Sequence, residues 1–375
     1  MKILISARGY DTLSGHEIGI FELDQAKALR DSGHDVRIAA IDTRSIRRVR
    51  PWGLRRYELD GLSVHYAAIP AGALPGKLYA AAEKYAGKTL WNDLRKDAWR
   101  PDIIHAHFGG GLLSCAKEEN IPFVYTEHFS GANRPEVPEA ELRREKALYP
   151  QVDRLLCVSA PLAENLYRHT GVRAQVVHNI VDTAAFAVPS VEKRTQHTFR
   201  FVSTGGLIGR KGFDLLFSAA AALRKEGYDF TLTVFGDGAE REALTALAVR
   251  LGISDRVELR GKQPRSVIAE TYREADAFVL ASRLETFGVV YIEAMAAGLP
   301  VIATRCGGPE DFVNEDNGLL VPTDDISALA AAMRDMMENR ARYDSAAIAA
   351  ETRRCFSPER IAAQLTEIYE EVTGC

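Results

Sequence analysis

Short, almost unbroken apolar runs alternate with helical patterns along nearly the whole chain, and no other feature constrains the fold as strongly. In the first half the runs cover residues 2–8, 35–41, 102–108, 122–128, 154–160 and 175–181. In the second half they cover 199–204, 230–236, 257–260, 277–281, 300–303 and 318–321. A segment such as Ile38-Ala39-Ala40-Ile41 has no polar face, which suits a parallel strand covered on both sides. Helical patterns fill the gaps. Residues 19–33 place Phe21, Leu23, Ala26, Ala28 and Leu29 ahead of a terminal Gly33, and residues 326–339 and 358–372 close the chain. Such repetition needs right-handed crossovers and predicts α/β doubly wound sheets.

The scheme occurs twice. At roughly 150 residues per domain, 375 residues make two domains. Two Rossmann-like domains facing a cleft are expected, at 1–185 and 186–356, with 357–375 as a final helix. The boundary is drawn where a strand gives way to Asp182-Thr183 and then Pro189-Ser190. A composition 46% hydrophobic and 26% charged supplies two cores and excludes disordered, collagen-like and coiled-coil chains. No apolar run approaches the roughly 20 residues of a membrane span, and Met1-Lys2-Ile3-Leu4-Ile5 turns polar too soon for a secretory leader. Five scattered cysteines without a C-x-x-C pair fit reduced thiols in the cytoplasm. The net charge of −4 speaks against a nucleic-acid partner. It is unevenly spread: residues 1–180 carry 25 Lys+Arg against 22 Asp+Glu, and the remainder 22 against 29.

The most informative stretch runs from Ser282 to Gly298, SRLETFGVVYIEAMAAG. It leaves a strand and enters a helix in which Glu293 is the only charged side chain between Val289 and Ala297. A buried carboxylate needs donors, from a ligand or from the protein. Glu285 stands on the loop at the strand's C-terminal end, where open α/β sheets bind ligands. The N–H groups of Phe287, Gly288 and Val289 open the helix and suit anionic or hydroxyl oxygens. The plainer reading is a capping Glu285 and an internal salt bridge for Glu293. Glu285 and Glu293 form an E-x7-E motif, and with Gly298-Leu299-Pro300-Val301-Ile302-Ala303-Thr304 and Gly307-Gly308 the run resembles retaining GT-B glycosyltransferases of family 4. The resemblance covers nearly the whole chain, including residues 102–108, 179–182 and 356–369. It implies that Glu285 contacts the transferred sugar, that the Phe287 and Gly288 N–H groups bind its hydroxyls, that Glu293 holds the nucleotide ribose, and that the last helix crosses back to the first domain.

A glycine-rich loop, Thr204-Gly205-Gly206-Leu207-Ile208-Gly209-Arg210-Lys211-Gly212, brings two cations to a helix start. Compact positive charge and close backbone approach are what a diphosphate requires. The plainer alternative is an exposed loop with solvated charges. The family grips the diphosphate with an Arg and, five residues later, a Lys. Lys211 matches the Lys, Gly206 stands where the Arg is expected, and Arg210 is the candidate replacement. His128 ends a strand, and the family carries there a His that touches the transferred sugar beside its anomeric centre. Alternation places His105 and His107 on one face, as structural or acceptor-side groups. No D-x-D motif is present, so no metal and no other cofactor is expected.

The resemblance also implies a glycine before the first helix, close to the donor phosphates. Gly19 is the better match and Gly15 the alternative. Residues 19–34 resemble bacterial cell-surface polysaccharide glycosyltransferases in particular. Arg44, Arg47, Arg48, Arg50, Arg55 and Arg56 surround Trp52. They read either as a solvated loop or as a basic patch, centred on Arg47, Arg48 and Trp52, for anionic lipid or a polyprenyl-linked acceptor. The function expected is retaining, metal-independent transfer from a nucleotide sugar, UDP foremost, to a glycan or lipid-linked glycan, in the cytoplasm and at the inner face of the plasma membrane. A small soluble acceptor is the alternative, and a non-catalytic nucleotide-sugar-binding protein a further one. A nicotinamide oxidoreductase would need G-x-G-x-x-G with a later acid, and neither glycine-rich loop supplies it.

Overall fold

Each apolar run forms a parallel strand in the computed structural model, which describes residues 1–9, 20–45, 51–72, 74–107, 109–134, 136–187 and 198–374. The chain divides into two units, Met1–Ile180 with Pro358–Cys375, and Val181–Ser357.

The first unit holds an eight-stranded sheet of β1 (Lys2–Arg8), β2 (Asp35–Asp42), β3 (Gly53–Leu59), β4 (Leu62–Ala68), β5 (Ile103–His107), β6 (Phe123–Glu127), β7 (Arg154–Cys157) and β8 (Gln175–Val176). Their order is β3-β4-β2-β1-β5-β6-β7-β8. Strands β3 and β4, absent from the expected strands, form an antiparallel hairpin. Asp60-Gly61 is its two-residue turn, with φ of +50° and +75°, the left-handed pair that a tight hairpin requires and that glycine meets at no steric cost. The apolar run at 175–181 shrinks to two paired residues. Beyond them the chain leaves the sheet, and the Val181 N–H donates to the Phe356 carbonyl at 3.0 Å within the second unit.

The C-terminal helix, Pro358–Thr373, belongs to the first unit. Ile361, Ala362, Leu365, Ile368 and Tyr369 line one of its faces and join Ile3, Ile5, Ala26, Leu29 and Ile38 in one buried cluster. His34 and Thr366 lie 2.9 Å apart, and the Gln364 amide donates to the Val176 carbonyl at 3.0 Å.

The second unit carries β9 (Phe199–Thr204), β10 (Phe230–Phe235), β11 (Val257–Gly261), β12 (Ala277–Leu280), β13 (Val301–Thr304) and β14 (Gly318–Val321). Their order is β11-β10-β9-β12-β13-β14, all parallel. In each sheet the order reverses beside the first strand, between β1 and β5 and between β9 and β12. At such a point of reversal open α/β sheets bind ligands, outside the carboxyl ends of the strands.

Candidate active site

In the second unit the loops leaving β9 and β12 touch. Gly212 lies at φ +63°, and a Cβ there would sit 1.9 Å from the Ala281 carbonyl oxygen, so only glycine permits the approach. That approach brings Lys211 to Glu285. The Lys211 ammonium donates to Glu285 Oε1, and the Ser282 hydroxyl donates to the same oxygen at 2.8 Å. Glu285 is 5% exposed. Its N–H donates to the Cys306 carbonyl and its carbonyl accepts from the Gly308 N–H, each at 3.1 Å. Arg210 offers its carbonyl to the Arg283 N–H at 2.8 Å, and the Arg283 guanidinium bridges Asp214 and Asp324. These hydrogen bonds from Arg283 hold the Asp214 carboxyl below its ordinary range. At Gly206 the space is open, since the nearest atom to a Cβ would be the Asp237 carbonyl oxygen at 3.9 Å.

Glu293, buried on the helix Val289–Ala296, pairs with Arg265 at 3.0 Å. The donor that its burial demands is thus available within the protein. Sequence reasoning missed Arg265, because the charges stand on two successive helices at a spacing that carries no signal. Gly288, at φ +93°, caps the start of that helix, whose first N–H groups have no acceptor within it. Val289 is its first residue. The Phe287 ring packs against Phe312 and Phe356, with centroids 5.2 and 5.7 Å away, which confines any ligand contact of Phe287 to its backbone.

In the first unit a cavity of about 640 Å³ opens at the carboxyl ends of the central strands, with Arg8, Asp42, His107, Glu127, Arg144 and Tyr149 in its wall. Just beyond β6, His128 is buried, its ring stacked on Phe21 at 5.1 Å. Its Nε2 lies 2.9 Å from His107 Nδ1. Glu127, which the sequence reading passed over, fixes this turn. One of its oxygens accepts the His128 and Phe129 N–H groups at 2.7 and 2.6 Å, and the other accepts the Tyr149 hydroxyl at 2.6 Å. Burial, with Glu127 beside it, pushes the Tyr149 hydroxyl far above its usual range.

His105 and His107 share a face, as alternation required, with ring centroids 4.4 Å apart. Their roles differ. His105 spans Tyr369 Oη at 2.6 Å and Thr126 Oγ1 at 2.7 Å, tying the last helix to the sheet, whereas His107 lines the cavity. Burial lowers the pKa of His105, His107 and His128, that of His107 to about 3, so all three are neutral. Among the described residues no group of three His, Cys, Asp or Glu side chains is arranged to hold a metal ion.

Gly19 and Gly15, and Arg47, Arg48 and Arg50 of the arginine cluster, lie outside the described residues. Trp52 is 41% exposed. The described arginines of the cluster have partners within the protein. Arg44 grips Asp42 at 2.6 to 3.1 Å, Arg56 binds Asp93 and Asp97 at 2.7 Å each, and Arg55 lies over the Tyr66 ring at 5.0 Å.

Residues 18–185 match the family model described as Glycosyltransferase Family 4, and residues 189–353 match Glycosyl transferases group 1. The D-inositol 3-phosphate glycosyltransferase of Salinispora tropica is 30% identical over 360 residues, covering 86% of this chain and 70% of that protein. The chain belongs to the family 4 glycosyltransferases. Its fold is GT-B. The sucrose-phosphate synthase of Thermosynechococcus elongatus superposes on the glycosyltransferase with a TM-score of 0.81 at 22% identity, covering 100% of this chain and 99% of that one. Anabaena HepE in complex with UDP-glucose does so with a TM-score of 0.73 at 19% identity, covering 99% and 100%. The glycosyltransferase thus brings Lys211, Ser282 and Glu285 together in one unit, and His107, Glu127 and His128 together in the other. Among its described residues no helix is long and apolar enough to cross a membrane.

Proposed function

We propose that this glycosyltransferase moves a sugar from a nucleotide-diphosphate sugar, UDP-sugar foremost, to a hydroxyl of a small, soluble, polyhydroxylated acceptor, with retention of anomeric configuration and without a metal ion. The observation that carries the reading is the meeting of Lys211 with Glu285 at the sheet's point of reversal. Bond breaking leaves negative charge on the diphosphate. An ammonium already in place, helped by Arg210 and the N–H groups at the helix start, stabilises that charge without reorganising. Lys211 then exchanges a carboxylate partner for a phosphate, and Glu285 is freed to accept a sugar hydroxyl. Glu293 holds the ribose beside Arg265. His128 positions the transferred sugar, and the departing phosphate takes the acceptor's proton. The E-x7-E resemblance supports retention, and HepE, solved with UDP-glucose, supports UDP.

Of the two acceptor classes, the cavity of the first unit favours the small one. Its volume of about 640 Å³ falls within the roughly 300–1,000 Å³ typical of small-molecule pockets. The name of the Salinispora relative, an inositol phosphate glycosyltransferase, points the same way. A surface-glycan acceptor would instead bring the enzyme to the inner membrane face through Arg47, Arg48 and Trp52, and flotation with anionic vesicles tests that.

Thermal stabilisation by UDP-, GDP- and ADP-sugars identifies the donor without an acceptor. Turnover with a panel of inositols, inositol phosphates, hexoses and hexose phosphates then tests the acceptor class, and the anomeric coupling constant of the product tests retention. Stabilisation by none of the donors overturns the reading. Transfer only to lipid-linked glycans replaces the small acceptor with the surface-glycan one.

A further inference from the structure

The paired histidines of β5 differ in one respect. Both ring nitrogens of His105 have partners, whereas Nε2 of His107 has none among the described residues, although the residue is 2% exposed. Buried polar nitrogens in folded proteins are nearly always bonded, so an orphan on a residue that lines a cavity points to a place for a ligand. His107 lines the cavity of the first unit, and its other nitrogen is bonded to His128.

We propose that His107 is a binding residue for the acceptor. An acceptor hydroxyl bonds to its Nε2, and the bond between the two rings links that contact to His128. The inference rests on the reading of this cavity as the acceptor pocket.

Proton bookkeeping makes the link specific. The rings are neutral, and each carries one proton on one nitrogen. A hydroxyl that donates to His107 Nε2 requires the His107 proton on Nδ1, where it donates to His128 Nε2. The His128 proton then sits on Nδ1. A single acceptor contact therefore selects one tautomer in both rings, with no proton gained or lost. A ligand rich in hydroxyls suits this arrangement, since each hydroxyl can donate as well as accept.

Three substitutions separate this role from packing. In His107→Asn the amide overlays Nδ1 and keeps a partner for His128, but nothing replaces Nε2. In His107→Gln the amide reaches the Nε2 position. In His107→Phe both nitrogens are lost and the ring volume stays. Steady-state kinetics use the panel donor and panel acceptor that give the highest wild-type turnover. The acceptor KM of His107→Asn and His107→Phe rises roughly tenfold or more, the equivalent of one lost hydrogen bond. In His107→Asn, which keeps a partner for His128, the donor KM and the acceptor-free hydrolysis of the donor stay within about twofold of wild type, and His107→Gln recovers part of the acceptor KM. A wild-type acceptor KM in His107→Asn overturns the inference, as does a parallel loss of donor hydrolysis in every variant. If wild type is stabilised by donors yet glycosylates no panel acceptor, the small-acceptor reading falls, and this inference with it.

Discussion

Glu285 and Glu293 illustrate how much one side chain's surroundings matter. Both are buried carboxylates, and each has a cation within the second unit, Lys211 for one and Arg265 for the other. Glu285 can be neutralised without changing its shape. In Glu285→Gln, kcat is expected to fall by roughly a hundredfold or more, the scale of losing one preorganised polar contact, while Tm stays within a few degrees. Turnover near wild type would remove Glu285 from the chemistry. Arg265→Ala belongs to a different class. It takes the Arg265 cation from the buried Glu293 and should cost about 1–3 kcal/mol, visible in urea unfolding as a lower midpoint with an unchanged slope.

Glu22 gives a residue-scale prediction with a sign in pH. It lies buried in the first turn of the helix Ile20–Asp31, where burial raises its pKa to about 7 despite the nearby Arg8. The folded state therefore holds a proton that the unfolded state releases near 4.5. The stability this proton confers is fully present below about pH 4.5 and is lost as pH rises to about 7. Glu22→Gln should remove that loss and gain on the order of 1–3 kcal/mol at pH 8 relative to pH 4. Equal pH slopes for the two proteins would show that the carboxyl is solvated.

At the scale of elements, the Asp60-Gly61 hairpin and the C-terminal helix tell opposite stories about legibility. The helix was readable because Ile361, Leu365, Ile368 and Tyr369 recur at helical spacing, and a stripe of that kind must be covered. The hairpin carried an equally physical signal, Asp-Gly between β-rich segments, yet its arginines drew the reading toward a basic loop. Arg55 and Arg56 are strand residues whose charges are met by the Tyr66 ring and by Asp93 and Asp97. Gly61→Val would place a β-branched residue at φ +75° and should cost roughly 1–2 kcal/mol, whereas Gly61→Asn should cost less. Chemical denaturation of the two variants separates a turn that requires the left-handed conformation from one that merely tolerates it.

For the whole molecule, the division of the chain makes an unequal demand on its two parts. The second unit is continuous, so residues 181–357 expressed alone should unfold cooperatively. The first unit is completed by residues 358–375, whose apolar face covers Ile3, Ala26 and Leu29 and whose Tyr369 hydroxyl is bonded to His105. Residues 1–180 alone should expose that face and bind a hydrophobic dye, and adding a peptide of residues 358–375 should suppress the binding. A stable, dye-silent 1–180 fragment would show that the helix is dispensable to the core.

The sequence by itself determined the sheet class, twelve of the fourteen strands among the described residues, the last helix and the loops that carry Lys211, Glu285 and His128, because periodicity and strand-to-helix transitions are local properties of the chain. Tertiary structure alone decided the partners. Arg265 for Glu293, Tyr149 for Glu127, and Tyr369 for His105 all join residues whose spacing in the chain carries no signal. Burial makes such pairing obligatory, but only the packing of distant elements chooses which residue meets the obligation, and which nitrogen, at His107, no described residue meets.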